Sequence, residues 1–324
     1  MLISRWDRDT LVGLLIAVAA LLMLALDGVL AQGVWPWAAL CWLAAVPYLL
    51  LPIPSARQWL RTQVIGRPSL TYLVPAGLVL SGVAVTMATG SYRLDQVVVW
   101  PLCTAAAVAL VTRPGATEPG AGTLLPLGLV VGILAGVWQR TLFIRVPGGT
   151  KIGLAFFVAL DLALFLLLVA RPLASFDVGF GLSGKTVALA VAVVGVVALV
   201  VLPIGFAIGF LQWQWRWLGW GYAIVRLFGL ILFVGLPEEM LFRGLIQEGL
   251  VRASNPRWGW LAASVLFGLA HITKAAPPLN WRYALVATLA GLAYGWVYAR
   301  TGKLAAAAVT HGGADWVWGT FFHS

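Results

Sequence analysis

The stretch GLPEEMLFRG, residues 235–244, lies inside one of the most apolar parts of a very apolar chain. Asp, Glu, Lys and Arg make up only 10% of the protein, yet Glu238, Glu239 and Arg243 fall within these ten positions. The surrounding run, 222–250, exceeds the ~20 residues a bilayer-spanning helix needs. Charged groups at membrane depth cost several kcal/mol each unless paired or hydrated. Two adjacent carboxylates and an arginine in such a helix therefore require partners or hydration.

The rest of the chain supplies the same setting. A hydrophobic fraction of 61% and repeated apolar runs describe an all-α polytopic membrane protein. A β-barrel would show short alternating segments, and none is sustained here. About eleven transmembrane helices are predicted, near 10–31, 35–53, 70–90, 96–112, 123–139, 152–170, 186–211, 222–250, 258–274, 282–299 and 304–320. The net charge of +10 is scattered between these runs, which marks it as positive-inside loop charge and speaks against a nucleic-acid partner. Cys41 and Cys103 both fall in apolar runs, so neither a disulfide framework nor a thiolate metal site is expected. VLA at 29–31 would suit a signal peptidase, but the preceding apolar stretch is too long for a signal peptide.

Basic residues set the orientation. Arg5, Arg8, Arg57, Arg61, Arg67, Arg171, Lys185, Arg252, Arg257, Arg300 and Lys303 fall on one side of the eleven-span arrangement, with the 140–151 loop the clear exception. This predicts a cytoplasmic N-terminus and an external C-terminus. The Ala-, Leu- and Arg-rich composition suggests a bacterial plasma membrane. Trp213, Trp215, Trp217 and Trp220 read as an outer aromatic belt. The 171–185 loop is the natural boundary between an N-terminal multi-span region, 1–177, and a C-terminal core, 178–324. Asp27 and Asp161 are isolated in the first region, whereas the second concentrates the polar groups.

Three patterns carry those groups: Glu238, Glu239 and Arg243; Phe267 and His271; His311 and Asp315. Each contains an i, i+4 pair, which stacks on one helix face. Counted at ~1.5 Å per residue from Arg252, Arg257 and Lys303, the Glu pair lies ~20 Å deep, Arg243 ~14 Å, His271 ~21 Å, His311 ~12 Å and Asp315 ~18 Å. Alone, a buried Glu–Arg pair is a structural feature and a lone His is a helix–helix hydrogen-bonding residue. Three helices bringing ionisable groups to one slab imply a shared cavity. Two carboxylates and two imidazoles there can deprotonate a water and stabilise an oxyanion. No Ser or Cys is paired with a His at that depth, so water is the expected nucleophile, with an amide as the target.

In this order and on separate apolar segments, EE-x-x-x-R, F-x-x-x-H and H-x-x-x-D resemble the CPBP family over roughly residues 180–324. That family comprises type II CAAX prenyl endopeptidases and bacterial Abi proteins linked to bacteriocin processing. The resemblance implies an intramembrane protease acting on a membrane-associated peptide or protein. It implies that Glu238 and His271 activate water, that Glu239 and Arg243 support them, and that His311 and Asp315 complete the site. Asp315 stands where the prenyl endopeptidases typically carry Asn. The family has been described both as metalloproteases and as metal-free glutamate proteases, so cofactors are none or one divalent metal such as zinc; His271, His311 and Glu238 are the ligands if a metal is present.

Rival patterns are poorer. GLSG at 181–184 has the rhomboid G-x-S-G form, but Ser183 lies beside Lys185 in a predicted loop. GGAD at 312–315 only approximates the presenilin-type motif, and H-E-x-x-H is absent. A transporter or non-catalytic scaffold using the buried charges is the main alternative.

Overall fold

The computed structural model describes residues 10–19, 22, 47–88, 94–113, 120–138, 143–145, 151–172, 178–215, 217, 219–273 and 279–323. The predicted second span up to residue 46, half of the first, Asp27, Cys41, the 29–31 site, and Arg5 and Arg8 lie outside these residues. The chain divides into two compact units, Met1–Gly181 and Leu182–Ser324.

The N-terminal unit is helical: α1 (Thr10–Ala19), α2 (Pro54–Gly66), α3 (Leu70–Ala88), α4 (Leu94–Val111), α5 (Ala121–Trp138) and α6 (Leu154–Leu164), which widens into a π-helical turn over Phe165–Ala170. From Phe156 to Val169 every residue of that last helix is buried, as befits a helix apolar on all sides. It is packed by α2, α3, α4 and α5. Asp161 is enclosed with it, 1% exposed and beside Tyr48. Helix α2 was not among the predicted spans. Its sequence PSARQWLRTQVIG sets Arg57, Arg61 and other polar residues among apolar ones and opens on Pro54, whose missing N–H costs nothing at a first helical position. Strands β1 (Phe143–Arg145) and β2 (Lys151–Gly153) form an antiparallel pair within the basic 140–151 loop.

The C-terminal unit holds α7 (Gly184–Ala207), α8 (Trp220–Ala253), α9 (Pro256–Ala270), α10 (Trp281–Thr301) and α11 (Leu304–Phe321). Local chemistry fixes the starts. The Ser183 hydroxyl accepts from the Thr186 N–H at 3.2 Å, so the GLSG serine is a helix cap. Asn255 and Asn280 do the same for Trp258 and Tyr283, each at 3.1 Å. Gly302, in the left-handed region at φ 65°, ends α10 and lets α11 begin at once. Short strands β3 (Gln212–Trp213) and β4 (Phe322–His323) pair antiparallel beside the tryptophan belt.

Among the described residues, only α7 and α8 satisfy both the length and the hydropathy expected of a membrane span, and shorter apolar helices occupy five further segments. The eleven-span expectation is thus met as an all-helical architecture but not span by span. The reason is legible in α10 and α11. They are 21 and 18 residues long, but Arg282, Thr288 and Arg300 in one, and Thr310, His311 and Asp315 in the other, lower their hydropathy.

Small residues let these helices touch. A Cβ at Gly268 of α9 would overlap Thr288 and the Ala284 carbonyl of α10. A Cβ at Gly235 of α8 would lie 2.8 Å from the Ala308 carbonyl, and one at Gly312 of α11 would lie 2.6 Å from the Ile231 backbone. Backbone meets backbone here, and the Glu pair is carried to the side of His311. Gly312→Ala should therefore cost about 1–3 kcal/mol as overpacking. The expected result is a lower unfolding temperature together with lower activity; unchanged values of both would show that the helices part freely.

Candidate active site

Helix α8 is not a regular helix. Two π-helical stretches, Ile231–Gly235 and Met240–Gln247, flank the single α-turn Leu236–Glu239. Pro237 offers no N–H to bond back four residues, and the helix widens just before it. The result places Glu238 and Glu239 in different surroundings. Glu239 is fully buried and Glu238 keeps 17% of its side chain exposed.

Glu239 is the fully buried carboxylate of the pair. Arg243 Nε donates to its Oε2 at 2.7 Å, with both side chains 0% exposed. His311 Nδ1–H donates to its Oε1 at 2.9 Å. The Arg243 guanidinium also lies 5.4 Å from the Phe267 ring centroid, while neither Nη1 nor Nη2 finds a hydrogen-bond partner among the described residues. Desolvated Arg on a ring face gains from cation–π attraction.

Glu238 is the carboxylate that faces the histidines. Its Oε2 lies 3.8 Å from His271 Nε2 and 3.9 Å from His311 Nε2. His271 is not inside a helix, as the 258–274 span had it, but at the end of α9, which stops at Ala270. There its Nδ1–H donates at 2.8 Å to the Phe267 carbonyl, one of the carbonyls a helix end leaves open. A carbonyl can only accept, so Nδ1 carries a proton and Nε2 is the ring nitrogen turned toward Glu238. Asp315 Oδ2 completes the group 3.6 Å from His311 Nε2, with 33% of its side chain exposed. All six residues predicted from the sequence thus stand in one cluster, whereas Ser183 is outside it as a cap.

Zinc ligation imposes a donor spacing of its own. Two donors on a tetrahedral zinc at ~2.0–2.1 Å stand about 3.3–3.5 Å apart. The 3.8 and 3.9 Å separations are wider, and among the described residues no three His, Cys, Asp or Glu side chains form a metal-holding group. As placed, His271, His311 and Glu238 do not fit a zinc ion.

Residues 219–317 match the family model of type II CAAX prenyl endopeptidase Rce1-like proteins. Over these residues the C-terminal unit is similar to that family. The match agrees with the CPBP resemblance, spans α8 to α10 and ends two residues beyond Asp315, so it is narrower than 180–324. The Rce1-like family is one of integral membrane proteases, and the match lends no support to an Abi-like or a metalloprotease description. No curated protein and no solved structure matches the chain.

Around the Rce1-like cluster stands an aromatic wall that sequence reasoning missed. Tyr294 stacks on His311, Tyr283 lies 5.3 Å from His271, and Trp318 lies 5.6 Å from Tyr283. Phe242 meets Phe267 edge-on at 4.9 Å. In an apolar helix an aromatic residue carries no contrast with its neighbours, so nothing in the sequence singled out Tyr294, Tyr283, Trp318 or Phe242. The wall surrounds the imidazoles with low-dielectric material, where hydrogen bonds to charge are strongest.

Proposed function

We propose that this protein is an intramembrane endopeptidase of the glutamate type, acting on a membrane-associated peptide or protein. The observation that carries it is the position of Glu238 Oε2, facing Nε2 of two histidines at 3.8 and 3.9 Å. A water held by Glu238 and His271 Nε2 gives its proton to Glu238 and adds to the substrate carbonyl carbon. The carbonyl oxygen takes the negative charge, and the His311 Nε2–H and Asp315, as a neutral carboxylic acid, donate hydrogen bonds to it. Glu239 accepts the His311 Nδ1–H and so supports an imidazolium, while Arg243 fixes Glu239. Glu238 then returns the proton to the departing amine as the C–N bond breaks.

The surrounding architecture belongs to the same reading. Residues 178–324 form the protease core, 1–177 form a multi-span region outside it, and the eleven apolar segments cross a bacterial plasma membrane with the N-terminus in the cytoplasm. The test is cleavage of prenylated and unprenylated membrane-anchored peptides by the purified full chain in proteoliposomes. Product peptides of defined mass are expected. Substrate flux without cleavage would replace this reading with a transporter.

Asp315 discriminates between chemistries. An Asn at this position also offers a hydrogen-bond donor, so Asp315→Asn should stay within about tenfold of wild type. A larger loss that added zinc restores would assign Asp315 to a metal site instead.

A further inference from the structure

Tyr294 belongs to none of the three motifs, yet it makes the closest ring contact that His311 has. The two centroids are 4.5 Å apart and the planes differ by 14°, a face-to-face stack with Tyr294 only 2% exposed. Phe267 meets the same imidazole edge-on, at 5.4 Å and 83°. The Nδ1–H bond to Glu239 opposes rotation of the ring about its Cβ–Cγ bond at one atom only. Such rotation would carry Nε2 away from Glu238 and Asp315, which now lie 3.9 and 3.6 Å from it. The stacked ring closes that freedom.

Tyr294 is itself held from both sides. Two residues before it, the Leu292 carbonyl accepts the Trp260 indole N–H at 2.8 Å. One residue after it, the Gly295 carbonyl accepts from Gln247 Nε2 at 3.4 Å. Helix α10 is thereby tied to α9 and α8 at the level of the stack, so the position of the ring follows from the backbone.

We propose that Tyr294 is a positioning residue: the face of its ring fixes the plane of His311 and aims Nε2 at the reacting group. The proposal rests on the peptidase reading above. It concerns the ring and not the hydroxyl.

The experiment compares Tyr294→Phe and Tyr294→Leu in the full chain, in proteoliposomes, by kcat and KM on one cleaved peptide. Phe keeps the stack and should stay within about threefold of wild type. Leu fills much of the space without a ring face and should lower kcat by ~10²-fold, the scale of a small misplacement, with KM unchanged. Wild-type kcat in Tyr294→Leu overturns the proposal, and so does an equal loss in both variants, which would assign the role to the hydroxyl. Histidine ring NMR gives an independent reading, because the chain has only three histidines. The His311 ring protons should be shielded in wild type and in Tyr294→Phe and should lose that shielding in Tyr294→Leu. If the wild-type protein cleaves nothing, the peptidase reading fails; unchanged His311 resonances in Tyr294→Leu then overturn the positioning role separately.

Discussion

Glu238→Gln should lower kcat by ~10²-fold or more while expression, membrane insertion and unfolding temperature stay at wild-type values. The substitution keeps shape and volume but removes the group that takes the water proton. The fold does not lean on Glu238 as it leans on its neighbour: the 2.7 Å bond from Arg243 and the 2.9 Å bond from His311 both go to Glu239. Loss of chemistry without loss of structure is therefore the expected pattern. A variant retaining more than about a tenth of wild-type cleavage would remove Glu238 from the role of general base. A cleavage assay on purified protein, paired with a thermal melt in detergent, decides it.

Arg243→Ala should show the opposite coupling, with structure and activity falling together. Removing one partner of a fully buried ion pair leaves the other charge without compensation and costs about 3–5 kcal/mol. Both side chains here are 0% exposed, so water cannot substitute for the guanidinium. Glu239 then loses the anchor that presents Oε1 to His311, and the imidazole loses its direction. The expected result is a clearly lower unfolding temperature and reduced kcat in the same preparation. A fully stable but inactive variant would show instead that Arg243 acts on the substrate itself.

The sequence made the site far more legible than the fold around it. Glu238, Glu239, Arg243, His271, His311 and Asp315 stand out because ionisable residues are rare in apolar helices, and rarity is a signal that needs no structure. The all-helical class followed from composition for the same reason. Helix α2 escaped because Arg57 and Arg61 read as loop charge, and charge marks a membrane boundary without saying whether the boundary is helical. The π-helical turns of α8 escaped because hydrophobic periodicity does not distinguish an i+4 from an i+5 bond over one turn. His271 was expected within its helix, although it stands at the helix end, where its own side chain satisfies a carbonyl. Tyr294, Gly235 and Gly312 act through tertiary contacts that leave no local trace.

Gly235 and Gly312 bear on how such a site fails. The span between Glu239 and His311 is gauged mainly by peptide backbone lying on peptide backbone, at Ala308 and Ile231, with the Ile231 side chain beside it. A joint of this kind has no intermediate setting. Warming can loosen side chains elsewhere, yet the carboxylate and the imidazole stay in register until the helices themselves come apart. Loss of the site and helix separation are then one event, and the cluster should keep full alignment up to the edge of the protein's own melting.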